Sequence, residues 1–469
     1  MSIQRCAPGG WRDAVQAVLD GGGRFAGAWA AGHDGTRCWS AAFTGVDGEL
    51  SALVCRADTG AVPTIIDLVA AADWDEREAH DLHGLRFDGH DPLRALAAHP
   101  DDAAAWMTPV RGAGVHDVAV GPIHAGVIES GHFRFHVVGE RILALDPRLF
   151  YKHRGLERAA QGRSADAGIA YAQRACGGCA VTNTVAYAQA VEETRGLWPD
   201  HHTRIGRTLL LELERLYNHL NDISAICAGV GFALGTMAFA ALKDRAQQLN
   251  QHLTGHRFLF GTIGVGASRL ALDRAATDRA REVLRDLRAD AATAWRTLEF
   301  AGPLQARLDD VGVLSEADAA RLGAGGPAAR ASGVATDARS TSPRLAYESF
   351  TPASPRRASG DVAARLDLRA AELQATWDIL DGLLIAPIAP GSATRRTAPV
   401  PLGLSVVESP RGATLAVVET DDDHLARLHL RTGSYANWPA LAHATAGNLL
   451  PDFPLINKSF ELCYACVDR

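Results

Sequence analysis

RACGGCAVTN, residues 174–183, and ELCYACVDR, residues 461–469, each hold a Cys-x-x-Cys pair: Cys176 with Cys179, and Cys463 with Cys466. Each pair puts two thiolates within one turn of backbone, and folding the end of the chain back onto its middle assembles four sulfurs around a soft metal centre. Four cysteines in two pairs most often mean structural zinc, but zinc ribbons keep their pairs inside one short module. Here the pairs lie far apart. Arg174 precedes the first, and an Arg-Gly segment, ESPRG at Glu408 to Gly412, precedes the second. Distant halves of the polypeptide must therefore converge.

The 469 residues are 47% apolar and 22% charged, enough for two or three domains with sizeable cores and against disorder. A net charge of -7, with Lys152, Lys243 and Lys458 the only lysines, leaves no basic stripe for nucleic acid. MSIQRCAPGGWRDAVQ at the start has neither a basic segment nor an apolar run, so no secretory signal is expected, and the expected location is the cytoplasm. Ile223 to Leu242 carries no charge, yet Gly229, Gly231 and Gly235 interrupt it, which predicts a buried helix-turn-helix and not a membrane span. Cys6, Cys38, Cys55 and Cys227 stand singly in apolar or Ala-rich surroundings and read as buried small hydrophobes, not a disulfide framework.

Residues 24 to 58 read as short strands (RFAGAWAAG, TRCWSAAF, LSALVCRA) followed by a charged helix, WDEREAHDLHG. The Pro-, Gly- and Asp-rich stretch from Asp91 to Gly114 reads as a linker. HFRFHVV and RILALD alternate around Gly139 and predict a β-hairpin. Helical spacing then takes over, with Leu209, Leu213, Leu216, Leu220 and Ile223 on one stripe, and helices are also predicted over 273–300 and 361–384. Gly323 to Ser359 is loop-like, rich in arginine, and too long to be idle. LGLSVVES, ATLAVVET and LARLHLRT predict a three-stranded sheet, and NWPALAHATAG a short helix before the last cysteines. The predicted class is α+β: a small N-terminal α+β domain, residues 1–112, then a mainly α-helical bundle with small peripheral sheets, residues 113–469.

RACGGCAVTN is similar to the R-x-C-G-x-C-x-x-x-H signature of nickel-iron hydrogenase large subunits, and ELCYACVDR resembles the D-P-C-x-x-C-x-x-R of their membrane-bound, energy-converting group. GPIHAGVIESGHFRF, YKHRGLE, LELERLYNHLNDI, GPAARASGVATDAR, SGDVAARLDLRAAEL and DFPLINKSF extend the resemblance over most of residues 118 to 469. DWDEREAHDLHGLRFDGHDPLR, residues 73–94, resembles a second complex I subunit, fused ahead of the large subunit as in formate hydrogenlyase. From that segment, with Glu76, Arg77 and Glu78 in a salt-bridged helix docking against a partner, assembly is expected and not chemistry.

The resemblance implies nickel held by all four thiolates, with Cys176 and Cys463 terminal and Cys179 and Cys466 bridging to an iron that carries carbon monoxide and cyanide. It implies Cys463 or Arg411 as first acceptor of a proton from hydrogen, Arg411 equally serving as an electrostatic lid, and Glu129 as the group passing protons between the terminal cysteine and the surface. His132 and His153 either extend that path or are hydrogen-bonded structural residues. Glu157 matches a position that in many relatives helps bind a magnesium ion near the C-terminus, although Arg469 stands where those relatives have histidine, so a Glu157 to Arg469 ion pair is the competing expectation. Asn183, Glu461 and Leu462 replace the usual histidine, aspartate and proline, which retunes the surroundings of the metal or marks a slowed enzyme. A chain ending CVDR is expected to be a mature form or one encoded without the C-terminal extension that a protease removes.

The activity implied is interconversion of hydrogen with protons and electrons. An iron-sulfur small subunit is required, since the chain has too few other cysteine motifs for clusters, and further iron-sulfur and membrane subunits are implied at the inner face of the cell membrane. Two readings compete. A quinone-reducing complex I-like subunit would use His124 and Tyr151 but has no need of paired thiolates, and a non-catalytic scaffold would hold structural zinc.

Overall fold

Short strands in the first 56 residues build a four-stranded sheet in the computed structural model, which describes residues 2–33, 36–57, 60–124, 128–348, 350–353, 355 and 357–469. Three residues of the GPIHAGVIESGHFRF stretch, 125–127, and positions 349, 354 and 356 of the arginine-rich stretch lie outside these. Strands β1 (Ser2–Cys6), β2 (Arg24–His33), β3 (Thr36–Thr44) and β4 (Leu50–Arg56) lie in the order β1-β4-β3-β2, β1 parallel to β4 and the rest antiparallel. Helix α1 (Trp11–Asp20) closes one face, its Trp11 and Val15 packing with Trp39, Phe43 and Leu53. The other face, through Trp29, Ala42 and Ala52, packs on Leu404, Leu415 and Val417 from the far end of the chain.

The charged helix α2 (Asp73–His83) is buried by its own chain. Asp75 pairs with Arg431 at 2.8 Å and Glu78 with Arg469, while Glu76 accepts hydrogen bonds from Thr64 Oγ1 and the Ile65 amide. Its docking surface is thus the C-terminal part of this polypeptide.

The predicted hairpin forms as β6 (His132–Val138) and β7 (Arg141–Arg148), with β5 (Val115–Val120) added at its edge. Then come α3 (Ala165–Gln173), α4 (Ala180–Thr194), α5 (His201–Gly229), α6 (Ala233–Thr254), α7 (Arg274–Glu299) and α8 (Val362–Leu383). Side chains of Asp200, Asp273 and Asp361 accept from backbone amides in the first turns of α5, α7 and α8, satisfying donors that a helix start leaves open. The leucine stripe of α5 is wholly buried.

The expected helix-turn-helix is the α5-α6 corner, where a Cβ on Gly235 would come within 2.7 Å of Cys227 Sγ, so only glycine lets the helices approach. One part of that expectation fails: Leu234 and Met237, near the start of α6, are 62% and 71% exposed. Among the described residues no helix is long and apolar enough to cross a membrane.

The arginine-rich stretch contains short helices at Glu316–Arg321 and Gly326–Ala331, and it sends Arg330 and Arg339 into the bundle. Strands β8 (Leu402–Ser409), β9 (Gly412–Asp421) and β10 (His424–Arg431) form the predicted antiparallel sheet. They are followed by α9 (Gly433–Thr445), α10 (Phe453–Phe460) and a last turn, Ala465–Asp468. Helices form most of the body and the sheets are small, an α+β architecture.

Candidate metal centre

Cys179 sits at the N-cap of α4, where a Ser, Thr, Asp or Asn side chain ordinarily accepts from the first turn. No side chain of that segment does so; instead Glu214 of α5 accepts from the amides of Val181 at 2.6 Å and Thr182 at 3.1 Å, and from Thr182 Oγ1. One helical turn on, Tyr217 Oη donates to the Gly177 carbonyl at 3.2 Å and Asn218 Nδ2 to the Gly178 carbonyl at 2.7 Å. The Cys-Gly-Gly-Cys turn is therefore clamped from one face of α5.

The second pair is placed by a backbone turn. Glu461 ends α10 in the left-handed region at φ 49°, unusual for a residue with a side chain, and its carbonyl accepts from Arg411 Nε at 2.9 Å. The Cys463 amide then donates to Ser434 Oγ at 3.0 Å, the Ala465 amide to Glu129 Oε2 at 2.8 Å, and Thr432 Oγ1 donates to the Cys466 carbonyl. Asp468 accepts from the amides of Phe150 and Lys152.

These two turns bring the sulfurs together. Cys176 Sγ lies 3.0 Å from Cys463 Sγ, and the sulfurs of Cys176, Cys179 and Cys466 lie within 4.8 Å of one another. Cys176, Cys179 and Cys466 are buried, Cys463 partly so, and all four are free thiols. Hydrogen bonds from Cys179, Cys463 and Cys466 hold the Cys176 thiol well below its usual range, and the same sharing pushes the three donors up. Four thiols that must share protons in a dry pocket are a soft, anionic donor set, which a metal completes by displacing those protons.

Arg411 lies beside this cluster, 7% exposed, in the tight turn between β8 and β9. Its Nη1 donates to Asn218 Oδ1, its Nη2 to Asp222 Oδ1 at 2.8 Å, and its carbonyl accepts from Asn437 Nδ2. Burial pulls its pKa down, but Asp222 and the sulfurs of Cys179 and Cys463 outweigh that, so the guanidinium stays charged. Asp222 also pairs with Arg369; despite burial, Arg411, His219 and Arg369 hold its pKa at about 2. His219 reaches Glu372 at 2.7 Å, which Arg330 joins to Glu408.

The other candidates fall at the margins. Glu157 accepts from Arg469 at 3.0 Å and from the Leu430 amide, so the ion pair is the expectation that forms. His132 Nδ1 bonds the Gly121 carbonyl, His153 Nδ1 the Asp468 carbonyl and His124 Nε2 the Gly131 carbonyl, and Tyr151 lies against His99. Leu462 is buried in the apolar cluster around Phe133 and Trp438, and Glu461 meets Asn221 and Lys458. Asn183 lies one turn along α4 from Cys179, fully buried, with neither carboxamide atom hydrogen-bonded among the described residues. That leaves it a polar group on the helix face that carries Cys179.

Sequence reasoning quoted LELERLYNHLNDI but singled out no site residue within it. The signal is a spacing: Glu214, Asn218 and Asp222 recur every fourth position along the helix, and all three are buried.

Comparison with known proteins agrees with the fold. The family described as "Respiratory-chain NADH dehydrogenase, 49 Kd subunit" matches residues 230–397 and 397–469, and "Respiratory-chain NADH dehydrogenase, 30 Kd subunit" matches residues 46–113. Formate hydrogenlyase subunit 5 of Escherichia coli (strain K12) is 31% identical over 466 residues, covering 93% of this chain and 80% of the relative. Hydrogenase-4 component G of the same organism is 29% identical, covering 95% and 81%. A chain of the membrane-bound sulfane sulfur reductase, an archaeal respiratory membrane complex, superposes with a TM-score of 0.70 at 26% identity, covering 76% of this chain and 99% of that one. The chain belongs to the family of energy-converting hydrogenase large subunits and complex I 49 kDa subunits, with a complex I 30 kDa-type segment fused ahead of it.

Proposed function

We propose that this chain is the catalytic large subunit of an energy-converting nickel-iron hydrogenase, interconverting hydrogen with two protons and two electrons. The approach of Cys176 and Cys463 sulfurs to 3.0 Å, inside a cluster of four thiols, carries the reading. A quinone headgroup has no use for such a cluster.

The four thiols would hold nickel, Cys179 and Cys466 also holding an iron that bears carbon monoxide and cyanide. When bound, the metal pair supplies the electron-accepting centre at which hydrogen is split or formed. Arg411, locked to Asp222, keeps its protons and acts as a fixed positive charge over the site. Cys463, the one partly exposed cysteine of the four, takes the proton, and Glu129, hydrogen-bonded to the amide between Cys463 and Cys466, carries it outward. Electrons leave to an iron-sulfur small subunit, because Cys6, Cys38, Cys55 and Cys227 make no cluster motif in the sequence. Residues 1–112 are an assembly module, residues 113–469 the catalytic part, and the whole associates with membrane subunits at the cytoplasmic face.

Anaerobically prepared protein should contain nickel and iron and show infrared bands from iron-bound carbon monoxide and cyanide. Zinc in place of nickel, with no such bands, rejects the reading.

A further inference from the structure

Hard divalent cations are held by carboxylates, carbonyl oxygens and, less often, a histidine. Arg469 is surrounded by that set. Its Nη2 meets the Glu78 carboxylate of α2, its Nη1 meets Glu157 Oε1 at 3.0 Å and the Leu430 carbonyl at 2.6 Å, and its Nε faces the Val467 carbonyl at 3.3 Å. His429 Nδ1 stands 3.5 Å from the same guanidinium, which is 2% exposed. Arg427 approaches the second oxygen of Glu157 at 3.5 Å.

The charges close without a metal. Two carboxylates face two guanidinium groups, and the oxygens that would bind an ion already accept from N–H donors. A divalent cation would have to expel Arg469 and leave a net positive pocket. The residues therefore do not fit the magnesium ion that family resemblance implies at Glu157.

We propose that Arg469 substitutes for that cation. Its planar fork ties four segments together: α2 through Glu78, the short helix Leu156–Ala160 through Glu157, β10 through Leu430, and the last turn, which carries Cys466. The second cysteine pair is thus fastened to the N-terminal module by a side chain and not by an ion. The inference concerns the hard-ion content of the chain and holds whichever metal fills the thiol cluster.

The test uses the full-length chain, purified metal-free, with thermal unfolding followed in the presence and absence of millimolar magnesium or manganese chloride. The unsubstituted protein should bind no magnesium, and its midpoint should not move. Arg469→Ala leaves Glu78 and Glu157 facing each other, so its midpoint should fall, and either ion should restore part of the loss, with bound manganese visible by electron paramagnetic resonance. Arg469→Ala/Glu157→Gln should lose that rescue. If Arg469→Ala folds only with added cation, that dependence is itself the expected result. Should it not fold at all, Arg469→Lys provides the comparison: a lower midpoint, indifferent to magnesium. A magnesium ion bound by the unsubstituted chain, a midpoint that rises with magnesium in that chain or in Arg469→Lys, or an Arg469→Ala chain that neither loses stability nor responds to cations overturns the proposal.

Discussion

The two halves of the thiol cluster are held in opposite ways. Cys176 and Cys179 are fixed mainly by α5, whose Glu214, Tyr217 and Asn218 grip the turn through a single helix face, with Arg154 donating to the Arg174 and Ala175 carbonyls just ahead of it. Cys463 and Cys466 are fixed by contacts from Glu129, Ser434, Thr432, Arg411 and the Phe150 and Lys152 amides that donate to Asp468, contributed by segments scattered over the chain. The first half is held by segments within about 40 residues of it along the chain, while the second exists only once the polypeptide has closed. One bond network joins them: Arg411 holds the Glu461 carbonyl of one half and Asn218 of the other.

The largest effect should come from the sulfurs. Cys176→Ser and Cys463→Ser should each remove nickel and abolish hydrogen turnover, measured by elemental analysis and by hydrogen uptake. A Cys463→Ser chain that kept its nickel would split the centre into independent halves. Next comes Glu129→Gln, in which the amide oxygen can still accept from Ala465 but the side chain no longer shuttles a proton. Hydrogen-deuterium exchange activity should drop about 10²- to 10⁴-fold with nickel content unchanged. Loss of nickel in that variant would mean Glu129 only fastens the second pair.

Asp222→Ala attacks the bridge between the halves. It strands Arg411 and Arg369 in the interior, and removing one partner from a buried ion pair costs about 3–5 kcal/mol. Urea unfolding of the full chain reads this directly; a loss below about 1 kcal/mol would show that water or another acid replaces the carboxylate.

The contrast between the halves also explains what was legible in the sequence. Short runs between Gly/Asp turns announced β2, β3 and β4, period-two alternation the β6-β7 hairpin, and the Leu209 to Ile223 stripe α5, because each pattern is written in neighbouring residues. Edge strand β1 was missed because four of its five side chains are exposed and carry no alternation. The cysteines were legible by their spacing. Their supports were not, since an acid or amide inside an apolar stripe is ordinarily the flaw in the stripe, and only the partner segment shows that Glu214 caps another helix. The arginines of Gly323–Ser359 had no legible role for the same reason: the partners of Arg330 and Arg339, Glu372, Glu408 and Glu212, lie on α8, β8 and α5. Leu234 and Met237 misled in the opposite sense, an uncharged run leaving apolar side chains outside.

The smallest of these effects tests whether the first half is self-contained. Glu214 is fully buried, and burial pushes its pKa up to about 7, although Thr182 and the amides of Val181 and Thr182 pull the other way. A carboxyl whose folded pKa lies above its unfolded value of 4.5 stabilises the fold most when protonated. That contribution is fully present below pH 4.5 and is lost as pH rises through about 7. At 1.36 kcal/mol per pH unit, the metal-free chain should lose roughly 3 kcal/mol over this window from Glu214 alone. Glu214→Gln, neutral at every pH, keeps one acceptor for the first turn of α4 and lacks this slope. The difference in urea-unfolding free energy between the variant and the unsubstituted chain should therefore grow in the variant's favour from pH 4.5 to 8. Parallel curves would mean that the α4 N-terminus stabilises the ionised carboxylate as well as water does, so that Glu214 holds the first pair as an anion.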